Sequence, residues 1–299
     1  MTARLPEFCG LVALVGRPNV GKSTLLNILL GQKISITSRK PQTTRHRITG
    51  IDTRDQYQAI FVDTPGIHQT QTNAMNRYMN RAATSTIADV DVTVFVVDRL
   101  SWNEEDELVV QGLMVAKSPV ILVLNKIDRL TDKSRLLPHI QSLASVFDWA
   151  EVLPLSAKTG YQLDQLREAI YQRLPKQSHL YDADQITDRS ERFMAAELIR
   201  EKMMRQCGDE LPYQVAVEIE SFNHQGHVIH ISALIWVERE GQKKIIIGRA
   251  GEQIKKIGTD ARKDIETMTE KKVMLKLWVK VKSSWSDDER MLKSLGFDE

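Results

Sequence analysis

Short apolar runs recur along the first half of the chain, at Leu11–Val15, Ala59–Val62, Val92–Val97, Val120–Leu124 and Val152–Pro154. They lack regular apolar–polar alternation, so each suits a strand buried on both faces. Amphipathic stretches between them predict helices near Lys22–Leu30, Ala74–Ile87, Glu104–Val115, Ser134–Phe147 and Leu163–Leu174. Strand–helix alternation of this kind predicts an α/β domain, a mostly parallel sheet with helices on both faces. The pattern breaks at residues 176–188, which have few periodic apolar positions and read as a linker. Beyond it the order changes. A helix is expected over Arg189–Arg205, then β-rich runs at Tyr213–Phe222 and Val228–Glu238. A glycine-punctuated segment, a helix over Glu252–Met268 and a strand over Val273–Val281 follow, and Asp287–Phe297 reads as a closing helix. Apolar residues Ile254, Ile257, Ala261, Ile265 and Met268 recur at spacings of three and four, so the Glu252–Met268 helix has one buried face. The expected division is 1–175, a linker at 176–188, and an α+β domain at 189–299.

Composition narrows the class. The 299 residues are 42% hydrophobic and 27% charged, which excludes a wholly disordered chain. No apolar run approaches the ~18 residues of a membrane-spanning helix. The Phe8–Val15 stretch is short, contains Gly10 and ends in a glycine-rich motif, unlike a signal peptide. Two cysteines, Cys9 and Cys207, are too few for a disulfide framework or a structural zinc site, so a cytoplasmic protein is expected. The net charge of +2 hides a local bias. Lys243–Lys282 holds twelve basic residues against five acidic ones, a net charge of +7. Such a segment attracts nucleic acid or an anionic membrane surface, or is simply a solvated helix face.

Candidate chemistry begins at Gly16–Ser23, GRPNVGKS, which fits G-x-x-x-x-G-K-[ST] directly after a predicted strand and at the opening of a helix. Gly16 and Gly21 let successive N–H groups turn inward around an anion, and the helix start adds its positive end. Arg17, Pro18, Asn19, Val20 and Thr24 complete this phosphate cradle. Lys22 can reach terminal phosphates, and the Ser23 hydroxyl can ligate Mg²⁺. The motif alone leaves ATP and GTP open. Asn125–Asp128, NKID, decides between them. Guanine presents N1–H and N2–H₂ side by side, and a carboxylate at Asp128 accepts both. Adenine would leave that carboxylate unpaired, at a cost of roughly 1–3 kcal/mol or more. Lys126 and Ile127 complete the motif. In Asp63–Gly66, DTPG, Asp63 can hold Mg²⁺ through water and the Gly66 N–H can meet the γ-phosphate, with Thr64 and Pro65 between them. In Ser156–Lys158, SAK, the backbone of Ser156, Ala157 and Lys158 can contact the guanine carbonyl.

Four motifs in this order, each at a strand's carboxyl end, resemble the P-loop GTPase superfamily. The resemblance implies a six-stranded, mostly parallel sheet, GTP and GDP as substrate and product, and Mg²⁺ as cofactor. Residues 38–47, SRKPQTTRHR, are similar to the first switch segment of translation-factor-related bacterial GTPases. That similarity implies a threonine on Mg²⁺ in the GTP state. Thr43 and Thr44 are the candidates, and Thr44 is favoured, giving Ser23, Thr44 and Asp63 as the magnesium set. Lys22, Gly66 and Thr44 are the expected catalytic groups. Ile67 occupies the place where Ras-like enzymes orient the attacking water with glutamine, so slow intrinsic hydrolysis is expected. His68 nearby reads as a solvated loop residue. Asn19 resembles a potassium-binding loop asparagine, with loop shaping as the alternative.

Residues 245–258, IIIGRAGEQIKKIG, carry G-x-x-G at Gly248, Arg249, Ala250 and Gly251. They resemble a KH domain of type II, in which such a loop lets a nucleic-acid backbone approach closely. Propensity makes Lys244–Ile247 a strand, whereas the resemblance makes it a short helix and takes precedence. Arg249 and Lys255 would supply charge, and Ile246 and Ile254 would line the base groove. Trp285 is the candidate for stacking on a base, while Trp278 is expected in the core. A G domain followed by one KH domain resembles a family of bacterial GTPases. That implies GTP-dependent binding to the 3′ end of 16S ribosomal RNA during assembly of the 30S ribosomal subunit, by a monomer with peripheral association with the inner membrane. Two rivals remain, a constitutive RNA-binding factor with a structural nucleotide and a membrane-surface GTPase.

Overall fold

The computed structural model describes residues 6–38, 40, 43–65, 74–79, 81, 89–207 and 215–297. Its described parts divide into two compact units, one drawn from 1–35, 44–70 and 79–188, the other from 36–43, 71–78 and 189–299.

The first unit is built on a six-stranded sheet. Its strands are β1 (Phe8–Val15), β2 (Ile48–Arg54), β3 (Tyr57–Asp63), β4 (Val92–Asp98), β5 (Val120–Asn125) and β6 (Glu151–Pro154), in the order β2-β3-β1-β4-β5-β6. Only the β2–β3 pair is antiparallel, a hairpin closed at Asp55–Gln56. Residues of β4 and β5 are almost wholly buried, as uninterrupted apolar runs require of strands covered on both faces. Helices α1 (Lys22–Leu30), α2 (Glu104–Leu113) and α3 (Leu136–Ala144) follow β1, β4 and β5 and lead into the next strand, and α4 (Leu163–Tyr171) follows β6. β2 is absent from the apolar runs because Ile48–Arg54, ITGIDTR, mixes polar residues into an edge strand. The described part of the expected Ala74–Ile87 helix is helical at 74–79 and 81.

Residues 176–188 are not a free tether. Ile51 donates its N–H to the Ile186 carbonyl, Thr187 donates to the Thr49 carbonyl, and the buried Gln58 side chain accepts from the amides of Leu180 and Tyr181. The stretch thus runs along the edge of β2 and closes the sheet there.

The second unit holds α5 (Glu191–Gln206), β7 (Val215–Gln225), β8 (Val228–Val237), α6 (Glu240–Ile247), α7 (Glu252–Thr269), β9 (Lys272–Val281) and α8 (Glu289–Ser294). The sheet order is β7-β8-β9, with β7–β8 antiparallel and β8–β9 parallel. Lys244–Ile247 is the end of helix α6, as the resemblance implied, because Ile246 docks into the core while Gly248 stops the helix. One face of α5 and α7 packs on one face of the sheet through Leu198, Ile199, Ile235, Ile257, Ala261 and Ile265.

Candidate functional site

Every described nucleotide motif lies at the carboxyl end of its strand. The loop after β1 emerges where the neighbours of β1 diverge, with β3 on one side and β4 on the other, the crevice that α/β sheets use for ligands. Gly21 is left-handed, and a Cβ there would sit 2.4 Å from Asn125 Nδ2. The α1 N-terminus carries no side-chain cap, so its amides remain available to an anion. The contrast is α2, whose N-terminus is closed by a capping box of Asn103 and Asp106.

Asn125 joins the motifs. It is 1% exposed. Its Nδ2 donates to the Val20 carbonyl at 2.8 Å, and its Oδ1 accepts from the amides of Lys126 (2.7 Å) and Ala157 (2.9 Å). One side chain therefore ties the phosphate loop to both segments expected around the base. Lys126 donates to the Asn19 carbonyl and pairs with Asp98 at 2.7 Å. Asp128 is exposed, and Oδ1 accepts from Ser156 Oγ at 2.7 Å, which orients its carboxylate. Asn19 is exposed with φ 65°, a left-handed conformation that asparagine tolerates. Arg17 turns away from the loop, its Nε–H shared between the two carboxylate oxygens of the buried Asp106 (3.0 and 3.2 Å). That anchor was not legible in the sequence, because Asp106 lies 89 positions away on α2.

A buried polar cluster lies beside the loop. Asp63 Oδ2 accepts from Ser23 Oγ (2.7 Å), Ser35 Oγ (2.9 Å) and Thr44 Oγ1 (3.4 Å), and the Ser23 and Thr44 hydroxyls are 2.9 Å apart. Among the described residues, the buried Asp63 Oδ1 has no hydrogen-bond partner. Burial pushes the Asp63 carboxyl up, partly offset by Lys22. Burial likewise pushes the Lys22 ammonium down to about 8, partly offset by Asp63. Lys22 Nζ donates to the carbonyls of Gly16 (2.7 Å) and Arg17 (3.1 Å), bent back over the loop. Oxygen donors around an unsatisfied carboxylate oxygen fit a hard divalent cation. Ser35 joins this cluster although no motif contains it. Thr44 meets the cluster, whereas Thr43 Oγ1 donates to the Lys40 carbonyl at 2.6 Å. Thr64 donates to the Leu14 carbonyl and is buried with Pro65. Gly66, Ile67 and His68 lie outside the described residues.

Thr37, Lys40 and Thr43 are held by α5 and by Cys207, which directly follows it. Glu201, fully buried, accepts from the Thr37 N–H (2.9 Å) and hydroxyl (3.3 Å) and pairs with Arg205 at 2.9 Å. Arg205 also donates to the Thr37 carbonyl at 3.0 Å, Arg200 donates to the Thr43 carbonyl, and Lys40 donates to the Cys207 carbonyl.

In the second unit the G-x-x-G loop adopts left-handed conformations at Ala250 and Gly251, and Gly248 has φ 72°. A Cβ on Gly248 would lie 2.5 Å from Gln253 Cβ. Arg249, Ala250 and Lys255 are exposed. A groove of about 310 Å³ runs beside α7 and β9, lined by Ile254, Lys255, Gly258, Thr259, Arg262, Leu275 and Leu277. Thr259, Arg262, Leu275 and Leu277 were not among the predicted residues, since only the α7–β9 packing brings them together. Two expectations change. Ile246 is 0% exposed and belongs to the core, because it is on the inward face of α6. The burial expected of the two tryptophans is reversed. Trp285 is 0% exposed at the turn before α8, so it offers no ring to a base, while Trp278 is 58% exposed. β9 alternates, and its odd-numbered positions face the helices, which turns Trp278 outward.

The described geometry defines a P-loop GTPase unit joined to a KH domain. The family models described as "50S ribosome-binding GTPase" and "KH domain" match residues 11–126 and 210–286 respectively. GTPase Era of Ectopseudomonas mendocina is 62% identical over 97% of each chain, and GTPase Era of Pseudomonas aeruginosa strain LESB58 is 59% identical over 97% of this chain and 95% of its own. Two solved structures are each 37% identical and cover 98% of this chain and 100% of theirs. One is an Aquifex aeolicus Era variant bound to GDP·AlF₄⁻, with TM-score 0.94. The other is Era with MgGDPNP and nucleotides 1506–1542 of 16S ribosomal RNA, with TM-score 0.95. The chain belongs to the Era family of GTPases.

Proposed function

We propose that this GTPase is a switch that binds 16S ribosomal RNA near its 3′ end through the KH unit and acts in assembly of the 30S subunit. The observation that carries the reading is the pairing of the Asn125-centred nucleotide site with the α7–β9 groove, on a chain similar from end to end to an Era solved with both ligand types.

The phosphate-loop amides and Lys22 would hold the triphosphate, and Asp128, set by Ser156, would accept from guanine N1–H and N2–H₂. The Lys126–Asp98 pair and Asn125 keep loop and base site in fixed register, so the chain supplies positioning before substrate arrives. Ser23, Thr44 and Asp63 would hold Mg²⁺, whose charge would stabilise the developing negative charge on the transferring phosphoryl oxygens. Thr44 directly follows the segment held on α5, so occupancy by the γ-phosphate would be felt there. Gly248 to Gly251 would admit the RNA backbone, with Arg249, Lys255 and Arg262 neutralising phosphates and Ile254, Leu275 and Leu277 meeting bases.

We place the protein in the cytoplasm as a monomer. Among the described residues no helix is long and apolar enough to cross a membrane. Contact with the anionic inner-membrane surface would use the basic second unit. Cross-linking the GTP-loaded protein to RNA in cells and sequencing the attached RNA tests the proposal. A sharp peak at the 16S 3′ end is expected, and scattered reads with retained vesicle binding would favour the membrane rival.

A further inference from the structure

Helices α5, α6 and α7 pack on one face of the KH sheet, while on the other Ala216 and Leu234 are buried and the even positions of β9 are exposed. Strand register assigns that second face. β8 pairs with β9 so that Ser232 stands beside Lys276, Leu234 beside Trp278, and Trp236 beside Lys280. β7 places Glu218 beside Leu234 and Ala216 beside Trp236. Positions 275, 277, 279 and 281 of β9 pack on the core, so Met274, Lys276, Trp278 and Lys280 share the outer face.

The chemistry of this face is specific. Trp278 is 58% exposed. Trp236 donates its indole N–H to Glu218 at 2.8 Å, which fixes the ring, and Lys280 Nζ lies 5.9 Å from that ring's centroid. Glu218 is thus engaged by an indole, while lysines alternate with exposed tryptophan along the edge strand. A bilayer calls for a contiguous apolar surface, and here Met274 and Trp278 are separated by Lys276. Single-stranded nucleic acid matches the pattern, since bases stack on aromatic faces while cations follow the phosphates. The face is also continuous with the groove. β9 is the edge strand, and its inner face supplies Leu275 and Leu277 to the groove lining, so a strand leaving the groove over that edge meets Lys276 and Trp278 next.

We infer that the outer sheet face centred on Trp278, with Lys276 and Lys280, is a second contact for single-stranded RNA that continues out of the groove, one base stacking on the Trp278 indole. The inference rests on RNA occupying the groove, and the two can fail separately.

The test uses the full chain loaded with a non-hydrolysable GTP analogue. Fluorescent RNAs copied from the 16S 3′ end are compared at two lengths, a tetramer that fills the groove alone, about four nucleotides, and a decamer. Trp278→Ala is expected to weaken the decamer about tenfold, as losing one base–aromatic stack of roughly 1–3 kcal/mol implies. It should leave the tetramer within about twofold, and Trp278→Phe should restore most of the loss, a rescue expected of stacking. The Lys276→Ala, Lys280→Ala double variant should weaken the decamer and flatten its salt dependence. Equal effects of Trp278→Ala on both lengths, or none on either, would overturn the outer-face contact. So would a loss confined to phosphatidylglycerol vesicle binding. Gly248→Asp reports on the groove itself, and unchanged tetramer binding in that variant would sink the groove reading instead.

Discussion

At the scale of single residues, the candidate site depends on side chains that other groups hold in place. Asp128 has its acceptor direction set by Ser156. Asp128→Asn replaces an acceptor with a mixed donor–acceptor group, so GTP affinity should fall by about 1–3 kcal/mol, roughly 5- to 150-fold. Xanthosine triphosphate, which presents an oxygen where guanine has its amino group, should gain in the same titration. The two adjacent threonines give a second contrast. Thr44→Ala should lower GTP hydrolysis at least tenfold while leaving GDP affinity within about twofold, because its hydroxyl meets Ser23 and Asp63. Thr43→Ala, whose hydroxyl is spent on the Lys40 carbonyl, should change turnover by less than about twofold. Single-turnover rates and nucleotide titrations on both variants decide the pair. Residue type and spacing made Lys22, Ser23, Asp63 and Asp128 legible in sequence. They did not make Ser35 or Asp106 legible, because those side chains reach the site through space. Trp278 and Trp285 show the opposite failure. Apolar neighbours suggested burial for the first and polar neighbours exposure for the second, yet strand parity and turn packing reversed both.

Elements explain how the site is braced. Helix α1 begins without a side-chain cap and α2 with a full capping box, so only the first leaves its amides for a ligand. Helix α5 carries a fully buried carboxylate, Glu201, whose partners include Thr37, the Arg205 guanidinium and the Lys202 ammonium. Glu201→Ala would strip Thr37 of its amide partner and leave Arg205 without that charge. The expected result is a loss of about 1–3 kcal/mol in stability and faster proteolytic cleavage within residues 36–43. Denaturant titration with limited proteolysis measures both, and unchanged cleavage would remove the clamp. The apolar strands and amphipathic helices were readable because each carries its own period. β2 and the path of 176–188 were not, because an edge strand with mixed polarity and a segment held by Gln58 and Thr49 have no period to read.

For the whole molecule, nucleotide state and RNA affinity are expected to be linked. RNA should bind the GTP-analogue form and the GDP form with different affinities, and identical affinities in a filter-binding assay would remove the coupling. Potassium is tested separately. If Asn19 contributes to a cation site, hydrolysis in KCl should exceed that in NaCl several-fold, and Asn19→Ala should erase the difference. Equal rates would leave Asn19 as a loop former, the role its left-handed backbone already fills. Sequence by itself determined the chemistry that depends on neighbours along the chain: a glycine loop between strand and helix, a carboxylate proposed to select guanine, and a G-x-x-G turn before an amphipathic helix. Tertiary structure decided everything that depends on neighbours in space. It put Asn125 between the phosphate loop and the Ser156–Lys158 segment, gathered three hydroxyls on Asp63, tied Thr37 and Thr43 to α5, and turned Trp278 outward. The physical reason is range. Backbone conformation and helix period are set within a few residues, whereas burial and hydrogen-bond partnership are set by which surfaces fold together.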